Sequence, residues 1–257
     1  MPPARILDSH VHLWDTERFR IPWLDDITML NRPMSLTDYE DATAGLPVEG
    51  LVYLQVEVSP PYALSEAREI ARLAETSQQI RGIIPWAPLE FGERCRLFLE
   101  ELAAVSPLIK GVRRIVQAEP DPDFCLQPDF VRGNQLLAEF GLRSDICCTW
   151  KQLGQNVELV RRCPETMFIL DHIAKPHILE NAFEPWASQM TALAALPNCY
   201  CKISGVLTEA DHHHWEVEQV KPYVLHALEA FGEDRVVFGS DWPVVTQAAT
   251  YHRWVDV

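Results

Sequence analysis

Two histidines at alternate positions near the amino terminus, His10 and His12 in ILDSHVHLWD, are the first residues with chemistry to offer. Side chains two residues apart lie on one face of a β-strand, so both imidazoles project together, with Asp8 behind them. Such a pair either binds a divalent metal ion or exchanges hydrogen bonds at a metal-free site. An edge strand with two solvated histidines has the same pattern, so the rest of the chain must decide.

Other ionisable and aromatic residues stand at the ends of later strand-like segments. They are Glu57 in LVYLQVE, Trp86 in GIIPWAP, Arg113 and Arg114 in IKGVRRIV, Asp145 in LRSDICC, His172 and Lys175 in FILDHIAKP, Lys202 and Ser204 in CKIS, and Asp241 and Trp242 in VVFGSDWP. This convergence at one end of the strands indicates an enzyme. Because Arg113 and Arg114 are adjacent on a strand, only one of them can face inward.

Eight short apolar segments alternate with helical patterns along the chain. The predicted strands are 6–12, 50–57, 81–86, 109–116, 141–147, 167–172, 199–204 and 236–241. The predicted helices are 63–77, 95–105, 130–141, 155–163, 186–196 and 220–232. The alternation predicts an α/β fold with a parallel sheet, and eight units predict one (β/α)8 TIM-type barrel over residues 1–257. A doubly wound open sheet is the alternative.

Composition narrows the class of protein. The chain has 257 residues, of which 47% are hydrophobic and 23% charged, and its formal net charge is −15. An acidic chain without a basic block is a poor partner for nucleic acid or an anionic membrane. No apolar run reaches the roughly 18 residues that span a bilayer, and MPPARILD lacks the apolar segment of a signal peptide. Seven cysteines without a C-x-x-C motif agree with the cytoplasmic location that we expect.

Three motifs resemble the amidohydrolase superfamily, most closely its sugar-lactonase branch, which includes L-fuconolactonases and L-rhamnonolactonases. They are DSHVH, LDHIAKP and FGSDWP, in that order between Ile6 and about Val245. The resemblance implies a somewhat distorted (β/α)8 barrel, hydrolysis at a carbonyl centre, and Asp241 as the base that activates water. It also favours Arg113 over Arg114 as the inward-facing arginine.

Many superfamily members hold one or two metal ions on the H-x-H pair, a Lys or Glu of strand four, histidines of strands five and six, and the final Asp. This chain has arginines in strand four and no histidine in strand five. A guanidinium cannot bind a metal ion, and its positive charge opposes a dication. We therefore expect no cofactor, with a single zinc ion on His10, His12, His172 and Asp241 as the alternative.

The leading functional prediction is a hydrolase that opens a small sugar lactone, such as L-fucono- or L-rhamnonolactone. The expected catalytic residues are Asp241, His172, His10 and His12, and burial is expected to raise the pKa of Asp241. The expected substrate-binding residues are Arg113, Glu57, Trp86, Lys175 and Trp242. The only partner expected is the lactone, and a homo-oligomer is left open.

Three other functions stay open. One is a zinc-dependent decarboxylase or amide hydrolase of the same superfamily, against which the missing strand-five histidine argues. The second is hydrolysis of a carboxylate-bearing lactone, which is favoured if Arg18, Arg113 and Lys175 all face the pocket. The third is a barrel that binds a ligand without turnover.

Two further segments carry expectations. The run DHHHW at 211–215 is expected to be a loop-to-helix junction after strand seven, since consecutive histidines do not share one face, and contact with substrate at the barrel mouth is left open. The sequence stops soon after the eighth predicted strand, in ATYHRWVDV, so the last helix is expected to be missing or unusually short.

Overall fold

The computed structural model describes residues 5–257, and eight strands alternate there with eight α-helices. The strands are β1 (Ile6–Val11), β2 (Val48–Leu54), β3 (Ile80–Ile84), β4 (Gly111–Arg113), β5 (Arg143–Ile146), β6 (Phe168–Leu170), β7 (Cys199–Ile203) and β8 (Val236–Phe238). The helices are α1 (Leu36–Ala42), α2 (Ala63–Thr76), α3 (Arg96–Ala103), α4 (Pro128–Glu139), α5 (Leu153–Arg162), α6 (Trp186–Ala194), α7 (Val217–Phe231) and α8 (Tyr251–Asp256). The prediction that MPPARILD is not a signal peptide falls partly on residues 1–4, which lie outside the described residues.

The strands form a closed, distorted parallel barrel. β1, β2 and β3 pair in that order, and β4 to β8 pair in sequence order. Isolated parallel bridges between Ile83 and Ile109, and between Val11 and Trp242, join the two groups. This closure confirms the predicted (β/α)8 barrel, and each of the eight predicted strands overlaps one observed strand, although β2 and β3 begin before their predicted ranges.

The seam between β1 and the segment after β8 positions the first candidate residues. The amide of His12 donates to the carbonyl of Trp242 at 2.8 Å, and the amide of Asp241 donates to the carbonyl of His10 at 2.9 Å. The buried carboxylate of Asp8 accepts the amide of Ser240 at 2.8 Å. The two histidines and Asp241 are therefore neighbours because the barrel closes here.

The helices pack an apolar face on the barrel. In α2, Ala67, Ile70 and Ala71 are buried at the spacing of one helical face. A helix after β8, α8, is present and spans Tyr251–Asp256 among the described residues. Its Trp254 is buried, and the indole nitrogen donates to the carbonyl of Gly239 at 2.9 Å.

Among residues 5–257, no helix combines the length and the hydropathy that crossing a membrane requires.

Candidate active site

A cavity of about 570 Å³ opens at the carboxyl ends of the strands. Seven of the predicted site residues line it: His12, Glu57, Trp86, Arg113, His172, Lys175 and Asp241. They reach it from the segments that follow six different strands, as expected for the functional mouth of a barrel. His10 and Trp242 are not part of the cavity wall.

Asp241 lies at the base of this cavity among three imidazoles. Its Oδ1 is 3.3 Å from His12 Nε2, 3.5 Å from His10 Nε2 and 4.0 Å from His172 Nε2. Only a glycine fits beside it at Gly205, where a Cβ atom would lie 2.5 Å from His172 Nδ1 and 3.0 Å from Asp241 Oδ2. The loop after β7 thus allows the histidine and the carboxylate to approach each other.

The electrostatics of Asp241 correct one expectation. Burial does oppose its ionisation, but the surrounding imidazoles, first His172 and then His12 and His10, outweigh burial and hold the pKa of Asp241 below its usual value. The expectation of a raised pKa was therefore wrong, because it counted burial and left out the neighbours. Burial lowers the pKa of His172 to about 4, so at neutral pH His172 is an uncharged imidazole.

One hydrogen bond fixes a proton on His12, and the contacts of His172 accommodate a proton on its Nε2. His12 Nδ1 is 2.9 Å from the carbonyl of Leu54, which can only accept, so Nδ1 carries a proton. His12 Nε2 faces Asp241 Oδ1 at 3.3 Å and His10 Nε2 at 3.2 Å. His172 Nδ1 lies 2.9 Å from the hydroxyl of Ser204, while its Nε2 faces the carboxylate of Asp241. A proton on Nε2 satisfies both contacts, with the hydroxyl of Ser204 as donor to Nδ1.

His10 lies under the cavity floor and is fully buried. Its Nε2 receives a hydrogen bond from Arg113 Nη1 at 3.1 Å, and its Nδ1 faces Asp171 Oδ1 at 3.4 Å. Arg113 Nη1 also donates to Asp171 Oδ2 at 3.1 Å. Burial opposes the charge of Asp171, but Lys202, His10 and Arg113 outweigh it and hold the pKa of Asp171 well below its usual range. The sequence predicted a catalytic role for His10. In the structure its ring contacts other protein groups and does not line the cavity.

The predicted substrate-binding residues differ in their placement. Arg113 faces inward as expected, whereas Arg114 pairs with Glu90 and Glu119 outside the barrel. Trp242 is buried, and its ring packs edge to face on Tyr39 with the centroids 5.4 Å apart. It lies in the core because the chain turns at Asp241, so the side chain that follows points away from the cavity.

The comparisons with known proteins agree with this geometry. A family model described as Amidohydrolase matches residues 7–257. The chain belongs to the amidohydrolase family. This membership makes the protein a hydrolase and confirms the resemblance seen in the sequence.

Several amidohydrolase relatives match over nearly the whole chain. An L-fucono-1,5-lactonase from Burkholderia multivorans is 29% identical, and the match covers 97% of this chain and 88% of the relative. An L-fucono-1,5-lactonase from Burkholderia ambifaria is 28% identical over 97% of this chain and 85% of the relative. A crystal structure of an amidohydrolase from Burkholderia multivorans with bound zinc superposes with a TM-score of 0.88 at 27% identity, covering 98% of this chain and 89% of that one.

The donor atoms of this amidohydrolase fit a single metal ion. The Nε2 atoms of His10 and His12 are 3.2 Å apart, and both are within 3.5 Å of Asp241 Oδ1. Tetrahedral zinc, with bonds of about 2.0 to 2.1 Å, needs its ligand atoms about 3.3 Å apart. The residues thus fit zinc in type and spacing, although Arg113 already donates to the lone pair that His10 would supply.

Several cavity residues were not predicted as site residues, and three of them can carry a proton or a hydrogen bond to a substrate: Gln117, Glu209 and His212. Gln117 follows β4, and Glu209 and His212 belong to the loop between β7 and α7. His212 is the first histidine of DHHHW, which forms a turn ahead of α7, as expected for a loop-to-helix junction. Nothing in the sequence marked Glu209, because its position depends on how the segment 204–216 between β7 and α7 folds back. Asp171 was visible in LDHIAKP but stood next to the more suggestive His172.

Proposed function

We propose that this amidohydrolase opens small, uncharged sugar lactones of the aldonolactone type by hydrolysis. One observation carries the proposal: Asp241 Oδ1 and His12 Nε2 lie 3.3 Å apart at the base of a cavity of about 570 Å³, and we assign them together as the acceptor of the water's proton. A cavity of this size suits a small molecule. The names of the lactonase relatives support the same substrate class.

The acceptor pair gives a path for the proton of the attacking water. The water oxygen bonds to the lactone carbonyl carbon as one of its protons passes to the Asp241 and His12 pair. The carbonyl π electrons move onto the oxygen, which becomes an oxyanion. When the tetrahedral intermediate collapses, the bond from carbon to the ring oxygen breaks, and the pair returns its proton to that oxygen. Water is consumed and the open-chain hydroxy acid is released.

The oxyanion needs a donor that is already oriented, since the largest catalytic effect usually comes from such groups. His172 Nε2 is suited to this task because its proton faces the cavity while Ser204 fixes the other ring nitrogen. Arg113 also lines the cavity and adds a fixed positive charge behind the reacting carbon. The burial of both side chains keeps water from competing for these hydrogen bonds.

The charges of the cavity favour an uncharged lactone over a carboxylate-bearing one. Arg113 is paired with Asp171 at 3.1 Å, and Lys175 lies 3.6 Å from Glu209. Arg18 does not line the cavity, because it pairs with Glu69 at 2.6 Å. Within the described cavity wall, a substrate carboxylate would find no unpaired arginine or lysine. The sequence favoured a carboxylate-bearing lactone only if Arg18, Arg113 and Lys175 all faced the pocket, and Arg18 does not line it.

We further propose that the reaction does not require a metal ion. Zinc bound to His10, His12 and Asp241 would act as a Lewis acid on the carbonyl or the water. The support for metal-free action is that Arg113 already holds the lone pair of His10 at 3.1 Å and supplies positive charge at the same place. A zinc-dependent decarboxylase or amide hydrolase, which would need the ligand set intact, is correspondingly disfavoured.

The test is hydrolysis of a panel of aldonolactones, followed by acid release, with protein that has been treated with a chelator and checked for residual metal. The panel includes L-fucono- and L-rhamnonolactones and, as the charged control, a lactone that carries a free carboxylate. We expect turnover of the uncharged lactones without metal and little turnover of the charged one. Activity that vanishes with the chelator and returns with zinc would contradict metal-free action. No turnover in either state would contradict the lactonase function.

A further inference from the structure

Beneath the cavity floor lies a group of charged side chains that the proposed reaction does not use directly. Asp145, Asp171 and Lys202 are each at most 2% exposed, and none of them lines the cavity. They come from β5, from the residue after β6, and from β7. Buried charges are costly unless they are paired, so their placement on three adjacent strands requires an explanation.

Lys202 links the two carboxylates. Its Nζ is 2.9 Å from Asp171 Oδ1 and also forms an ion pair with Asp145 Oδ2. The same Oδ1 of Asp171 faces His10 Nδ1 at 3.4 Å, while Oδ2 accepts from Arg113 at 3.1 Å. Asp171 is therefore the junction through which Lys202 reaches both His10 and Arg113.

We propose that Lys202 is a positioning residue for lactone hydrolysis, which fixes the Asp171 carboxylate so that His10 and Arg113 keep their orientations beside Asp241. The ionised Asp171 faces His10 Nδ1 at 3.4 Å and favours the tautomer with its proton on that nitrogen, so that His10 Nε2 accepts the hydrogen bond from Arg113. With Oδ1 held by Lys202, the carboxylate cannot rotate away from the imidazole. The inference rests on the proposed function only for its kinetic readout.

A simpler role would be charge balance, in which Lys202 only neutralises two buried carboxylates. The two roles differ when Lys202 and Asp145 are replaced together. The variant K202M/D145N removes one positive and one negative charge, so the network stays balanced and Asp171 keeps Arg113 as its partner. Methionine has nearly the length of lysine, so the space under the floor stays filled.

The kinetic test compares kcat and KM of K202M/D145N with those of the natural protein. Outer partners of site residues are typically worth about 10- to 100-fold in activity, so we expect kcat to fall by about 10- to 100-fold. KM should stay nearly unchanged, because neither residue contacts the substrate cavity. A variant with natural kcat would overturn the proposal, and so would a change confined to KM.

N134A provides the matched control for lost buried polarity. Asn134 is fully buried in α4, and its Oδ1 accepts the hydroxyl of Ser144 on β5 at 2.7 Å, away from the cavity. We expect this variant to lose stability with an unchanged kcat. If N134A loses as much kcat as K202M/D145N, the effect is a general result of destabilisation and the proposal fails.

A second readout does not depend on any activity. In the natural protein labelled with nitrogen-15 histidine, long-range nitrogen–proton NMR spectra should show His10 with its proton on Nδ1. In K202M/D145N we expect exchange between the two tautomers. An unchanged spectrum would overturn the positioning role even if the protein hydrolysed no lactone. A changed spectrum in a protein without lactonase activity would contradict only the proposed function.

Discussion

Asp241 by itself is a weak base, because the imidazoles around it hold its pKa below the usual value. The neighbouring Nε2 of His12 resolves this difficulty, since a proton taken from water can rest on the imidazole while the carboxylate stays ionised. The resulting ion pair of the two side chains is stabilised by their contact at 3.3 Å. In the proposed mechanism the proton-accepting unit is therefore the pair, in which the carboxylate orients the water and the charged imidazole.

Replacement of the carboxylate should remove that unit. General acid and base groups typically contribute about 10²- to 10⁴-fold, so we expect D241N to lower kcat for aldonolactones by that factor. Fitted initial rates give the measurement. D26N, which alters an exposed carboxylate on the loop after β1, is the matched control and should keep natural kcat. A D241N variant with more than a tenth of natural kcat would contradict the role of Asp241.

At the scale of elements, the segments after β6 and β7 contain residues with positive φ angles, which L-residues rarely adopt. His172, Ile173, Ala174 and Lys175 all have positive φ, between 45° and 60°. This conformation costs roughly 1 to 2 kcal/mol for each L-residue, so the surroundings must enforce it. Ile173 and Ala174 are fully buried, and Trp186 Nε1 donates to the carbonyl of Ile173 at 2.7 Å. The left-handed turn brings both His172 and Lys175 to the cavity.

Gly205 allows a test at this scale. In G205A the new methyl group would lie 2.5 Å from His172 Nδ1, and a φ of +54° would also strain the alanine. We expect a loss of roughly 1 to 2 kcal/mol in the free energy of unfolding from the strain, together with at least a tenfold loss of kcat from the displaced imidazole.

Gly141 supplies the control for that strain. Its φ is +66°, and nothing lies within 4 Å of a Cβ atom built there. G141A should lose a similar amount of stability, measured by urea unfolding, and keep natural kcat. Equal losses of kcat in the two variants would show that strain alone explains the effect.

The sequence predicts helices and strands well where their pattern is long or apolar. It predicts less well in which direction a side chain points after the end of a strand. All eight strands were predicted because each is a short apolar run, whereas α1 was missed because its seven residues carry too little periodicity. The positions of His12, Arg113, His172 and Asp241 at the cavity were predictable because these residues end or follow strands. The burial of Trp242 and of His10 was not predictable, since it depends on how the chain bends after each strand.

At the scale of the whole molecule, a buried acid outside the cavity sets a pH dependence of stability. Glu66 of α2 accepts the hydroxyl of Tyr53 at 2.8 Å and the amide of Val56 at 2.9 Å, both on Oε1. Its Oε2 has no partner among the described residues. Burial, which outweighs these hydrogen bonds, raises the pKa of Glu66 from 4.5 to about 7.

The sign of the effect follows from which state holds the proton. Between pH 4.5 and about 7 the folded protein keeps this proton and the unfolded chain releases it, so the contribution to stability falls as the pH rises. The rise in pKa corresponds to roughly 3 kcal/mol. In E66Q we expect a flatter dependence of the unfolding free energy over this range, and a variant more stable than the natural protein at pH 8. Parallel curves from urea unfolding at several pH values would refute this.

The seam between β1 and the segment after β8 has a consequence for biosynthesis. His10 and His12 leave the ribosome early, while Asp241 follows about 230 residues later, and the hydrogen bonds between them close the barrel. A nascent chain therefore has neither a closed barrel nor the proposed acceptor pair until the segment that holds Asp241 has emerged. Under the proposed mechanism, catalytic activity in such a chain reports that synthesis has passed Asp241 and that the barrel has closed.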